Sequence, residues 1–149
     1  MEAAIRMKNM VLGVLAMIGS ALSNLLGGWD ITLQILLCCM AADYITGLVV
    51  AGVFHNSGKT QTGALESRAG FKGLVRKCAI LLLVFLAALL DAYTGHSFVR
   101  PAVCMFFVAN EGLSILENIG LMGVPYPAFL ENMLEALKKQ GNDGNREEE

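Results

Sequence analysis

The sequence predicts an all-α membrane protein with three to four transmembrane helices and a short amphipathic C-terminal helix, and three observations carry that reading. First, the 149 residues are 55% hydrophobic and 16% charged, with a mean hydropathy of +0.57, which is more apolar surface than one modest soluble core can enclose. Second, the apolar residues fall in long runs, several near the ~20 residues that a ~30 Å hydrocarbon core requires. Third, Lys and Arg collect at alternate breaks between the runs. With four spans and both termini on one side, ten basic residues share that side and Arg100 stands alone on the other. This asymmetry predicts cytoplasmic N and C termini. A net charge of −2 with no large basic face argues against a nucleic-acid partner.

The predicted spans are residues 9–28, 31–54, 76–98 and 101–121, within one membrane-embedded unit over residues 1–140, with residues 141–149 as a disordered polar tail. After a polar head containing Glu2, Arg6 and Lys8, no charge appears until Asp30. Ala16, Ser20, Asn24 and Gly28 form one ridge of small or polar residues on this first helix, a surface suited to close packing. A secretory signal peptide is the alternative, because a basic start, an apolar run and Ala21-Leu22-Ser23 also fit that pattern. Gly27-Gly28-Trp29-Asp30 reads as a tight turn with an interfacial tryptophan.

The second span is interrupted once, by Asp43, roughly 18 Å along a helix that starts at Ile31. An aspartate at that depth costs about 2.5 to 3.5 kcal/mol to insert, so it needs shielding by another helix or by water. Cys39, Asp43, Gly47 and Ala51 share one ridge, and Thr46 adds a hydroxyl for an interhelical hydrogen bond. A neutral, protonated packing residue is the alternative for Asp43. The following loop holds Lys59, Arg68, Lys72, Arg76 and Lys77 against Glu66. If it is helical after Thr62, then Glu66, Gly70, Gly73 and Lys77 lie on one face of a short surface helix; a solvated basic linker is the other reading.

Cys78 to Leu90 begins the third span, which passes Asp91 and closes near Tyr93 or Phe98, and Arg100-Pro101 predicts a break. The fourth segment carries Asn110, Glu111, Ser114, Glu117 and Asn118 on a broad polar side. It can line a wet cavity, pack against the other helices, or lie along the interface. Its acids and Asp43 either ionise when water reaches them or, for Glu111 and Glu117, are held throughout by Asn110, Ser114, Asn118 or a basic partner such as Lys77. Gly120 and Gly123-Val124-Pro125 end this segment, and residues 128–140 form the amphipathic helix.

Chemical signatures are sparse. Cys38, Cys39, Cys78 and Cys104 sit within apolar runs without zinc-site spacing and read as small buried hydrophobes, and His55 and His96 are isolated. Without a nucleophile motif, phosphate loop or metal-ligand pattern, the reading is a non-enzyme with no cofactor.

Asp43-Tyr44-Ile45-Thr46-Gly47, then Ser67, Gly70, Gly73 and Lys77, then Asn110-Glu111, Ser114-Ile115-Leu116-Glu117-Asn118 and Gly123-Val124-Pro125 resemble successive signature blocks of a bacteriophage holin family that includes the clostridial toxin-secretion holins. The tail departs from the basic tails of many such proteins, because Glu147 to Glu149 and Asp143 oppose Lys138, Lys139 and Arg146. The resemblance implies a multi-pass protein of the bacterial host cytoplasmic membrane that homo-oligomerises and opens holes for an endolysin or a toxin. The endolysin would be a passenger rather than a bound partner, and an antiholin a further partner. Ala16, Ser20, Asn24, Asp43, Thr46, Gly47, Ala51, Gly70 and Gly73 are the expected packing and oligomerisation positions. Asn110, Glu111, Ser114, Glu117 and Asn118 are the expected pore-lining ones. An antiholin-like or scaffold protein and a small ion or metabolite transporter are the competing classes.

Overall fold

In a computed structural model of the chain, which describes residues 1–57, 66–130, 132, 133 and 136, four helices account for most of the chain. They are α1 (Glu2–Leu25), α2 (Ile31–Val49, continued by a π-helical turn over Val50–Phe54), α3 (Ser67–Thr94) and α4 (Val99–Leu121). All four are long and apolar enough to cross a membrane, so the chain is an all-α membrane protein. Lys59, Lys138, Lys139 and Arg146, along with most of the expected C-terminal helix, lie outside the described residues, although residues 128–130 are helical.

Two boundaries differ from the sequence expectation. Helix α3 begins at Ser67 instead of near residue 76, so the expected surface helix and the third span are one continuous helix. Arg100-Pro101 does not interrupt a helix; Pro101 sits in the first turn of α4, where its missing N–H has no intrahelical partner to lose. The two α4 amides ahead of it, those of Val99 and Arg100, donate to the Asp91 carboxylate at 2.9 Å each.

The body of the protein is α2, α3 and α4. Leu33, Leu36, Met40 and Asp43 are buried along α2 at steps of three, four and three, and Val50 follows seven residues later, in the manner of a helix-packing seam. The apolar core joins Leu33, Leu36 and Met40 to Ile80 and Val84 of α3 and Cys104 of α4. It therefore fills the half of the bundle nearest the α1–α2 turn. Tyr44 lies across Gly70 and Gly73, where added Cβ atoms would come within 3.7–3.8 Å of its ring and hydroxyl. These two glycines let α3 close over an aromatic side chain. Cys104 is buried, whereas Cys38 and Cys78 are exposed on the bundle surface, and all four cysteines are free.

Helix α1 stands apart from this body and buries none of its residues. It ends in a paired-hydrogen-bond cap, Gly28 N–H to Ser23 O at 2.8 Å and Gly27 N–H to Asn24 O at 3.1 Å, with Gly27 at φ +86°. The turn leads to Asp30, whose carboxylate accepts from Leu33 N–H at 2.9 Å and caps α2.

Candidate functional site

The seam of α2 continues beyond the apolar core into a polar centre near the middle of three helices. Asp43, 9% exposed, and Glu111, 3% exposed, face each other across α2 and α4, and Lys77 of α3 reaches between them. Its ammonium donates to Asp43 Oδ2 at 2.8 Å and to Glu111 Oε2. One cation thus bridges two carboxylates, at a depth where an unpaired charge would be costly. Asn118, 4% exposed, completes the α2–α4 side by donating to Asp43 Oδ1 and Asp43 O at 3.3 Å and to Thr46 Oγ1 at 2.9 Å. Thr46 in turn donates to Ala42 O at 2.8 Å, so its hydroxyl is satisfied within its own helix while it accepts from α4.

The residues named from sequence sort into groups on this frame. Asp43, Thr46, Gly47, Glu111 and Asn118 meet in one α2–α4 interface, Gly47 lying where an added Cβ would come 3.7 Å from Asn118 Nδ2. Asn110, Ser114, Ala51, Gly70 and Gly73 line a cavity of 330 Å³ beside the charge cluster, together with Lys72, Arg76 and Lys77. Glu117 points outward, exposed, one turn from the end of α4, a depth from which a carboxylate reaches the interface. Ala16, Ser20 and Asn24 are exposed on α1 and contribute to no interface among the described residues.

A second charged cluster ties the opposite end of the bundle, and the sequence reading did not find it. Arg100, 6% exposed, donates through Nε to Leu26 O and through Nη1 to Asp30 Oδ2, both at 2.5 Å, and through Nη2 to Gly28 O at 3.1 Å. One guanidinium therefore fixes the α1–α2 turn onto the start of α4. The hydrogen bond from Arg100, reinforced by Leu33 N–H, holds the Asp30 carboxyl below its ordinary value of 3.8, against the opposing effect of burial. The signal that could have found this cluster is the pairing of a lone basic residue, Arg100, with a lone acid, Asp30, at breaks predicted to lie on one side of the membrane.

Helices of spanning length, a buried ion cluster at their middle and a lipid-compatible surface define a multi-pass integral membrane protein. The bacteriophage holin family matches residues 20–139, and the chain belongs to that family. The probable holin of Bacillus phage phi105 is 33% identical over 118 residues, covering 78% of this chain and 81% of that protein. Uncharacterised proteins of Listeria innocua and Listeria monocytogenes are 38% and 39% identical. They cover 84% of this chain and 84% and 85% of their own lengths. No solved structure gives a significant match.

Proposed function

We propose that the protein oligomerises in the bacterial cytoplasmic membrane and opens holes that release an endolysin, which passes through without being bound. The observation that carries this reading beyond family membership is the state of α1. It is a full-length span with no buried residue, and its Ala16, Ser20 and Asn24 ridge offers a second copy the close helix approach that membrane packing depends on. Asp43, Thr46, Gly47, Ala51, Gly70 and Gly73 serve packing inside each copy. Asn110, Glu111, Ser114, Glu117 and Asn118 become lining groups when α4 exchanges its contacts with Lys77 and Thr46 for water.

The test is passage of a folded, endolysin-sized protein out of vesicles containing the full chain. Holes of the proposed kind release it together with small dyes. Release of small solutes alone would favour a transporter, and no release would favour a scaffold or an antiholin-like inhibitor. The orientation in this proposal rests on the ten-to-one distribution of Lys and Arg. In a background without native cysteines, a membrane-impermeant thiol reagent added outside is expected to modify Gly95→Cys and to miss Ser67→Cys; the reverse pattern would invert the topology.

A further inference from the structure

We infer that the cavity beside the charge cluster is a binding site for the headgroup of an anionic glycerophospholipid, with phosphatidylglycerol as the best chemical fit. Its volume, 330 Å³, lies in the range of small-molecule sites. Lys72 and Arg76 line it from one face of α3, both exposed, and among the described residues neither makes a hydrogen bond or ion pair. Two like charges four residues apart on a helix repel each other, and a phosphodiester between them removes that repulsion.

Depth favours a lipid over a soluble anion. The cavity lies where the basic start of α3 gives way to its apolar stretch from Cys78 onward, and its walls include Leu48 and Ala51. In the orientation proposed above, on which this inference rests, that level coincides with the headgroups of the cytoplasmic leaflet. Phosphate and guanidinium are well matched in shape and charge. On the water side of the phosphate, where a glycerol headgroup extends, the cavity presents the Glu66 carboxylate as an acceptor for its hydroxyls, while at the deep end Lys77 is already engaged with Asp43 and Glu111. A choline headgroup supplies no such donors.

The experiment counts lipids retained by the purified full-length protein in detergent micelles, by native mass spectrometry, with phosphatidylglycerol or phosphatidylcholine added. Wild type is expected to retain phosphatidylglycerol preferentially. The double variant Lys72→Gln, Arg76→Gln, altered at two exposed positions, is expected to bind it about 30-fold more weakly, with phosphatidylcholine retention unchanged. Equal phosphatidylglycerol binding by the double variant, or equal retention of both lipids by wild type, would overturn the assignment. So would complete displacement by inorganic phosphate, which would make the site one for soluble phosphates. Micelle binding does not depend on membrane sidedness, so an inverted thiol-labelling pattern would refute the orientation and move the site to the other leaflet. Lost binding with the expected labelling would refute the site alone.

Discussion

Lys77→Met is expected to destabilise the protein by about 3–5 kcal/mol, the cost of stripping a buried ion cluster of its cation. The substitution keeps the length and apolar stem of the side chain but removes the donor shared by Asp43 and Glu111. Those carboxyls then either remain charged without Lys77 or take up protons, and each outcome costs free energy. Unfolding of the purified protein by denaturing detergent in mixed micelles measures the loss. The triple variant Lys77→Met, Asp43→Asn, Glu111→Gln is expected to recover most of it, because neutral amides at the acid positions no longer require a cation. A single variant within about 1 kcal/mol of wild type would mean that the cluster contributes little to holding α2, α3 and α4 together.

Gly27→Ala is the second large effect, at about 3 kcal/mol, combining a positive-φ position with the loss of the Arg100 bonds. A Cβ at residue 27 would stand 2.7 Å from Arg100 Cδ and Nε, whereas one at Gly28, also at positive φ, meets nothing within 4 Å. Gly28→Ala is therefore the control: it imposes the backbone strain and spares the guanidinium. The same detergent unfolding assay applied to both separates strain from loss of the Arg100 contacts, and equal effects would show that those contacts contribute nothing. The ion pair also predicts a pH dependence. Because the Asp30 carboxyl is held below its ordinary 3.8 when folded, its contribution is present above that value and is lost as pH falls through the lowered one. Asp30→Asn removes this component of the acid response. The carboxylate is 45% exposed, so the component is small beside the effect of Gly27→Ala.

The sequence carried the all-α membrane class and narrowed the spans to three or four, because spanning length and charge asymmetry are one-dimensional properties. It also marked Asp43 as a residue needing shelter and offered Lys77 as one shelter for the acids of the fourth segment. What it could not carry was the meeting of Asp43, Lys77 and Glu111, since Lys77 is 34 residues from each acid and the meeting depends on how three helices cross. Arg100 was legible only as a stray cation on the outer side, and Pro101 only as a breaker. Both acquire their structural setting from Asp91, which binds the amides at the start of α4, and from the turn at Leu26 to Asp30. The α1 ridge of Ala16, Ser20 and Asn24 was legible as a packing surface, but the partner of such a surface is not written in one chain.

That arrangement makes the protein modular. Among the described residues every buried one lies at or after Leu33, inside the segment that the holin family matches, and α1 joins the body through a short turn fastened by one arginine. The body can thus change its amino-terminal span, by substitution or by exchange with another helix, without repacking a core. In the proposed assembly, the surface offered to neighbouring copies can then vary independently of the residues that keep each copy folded.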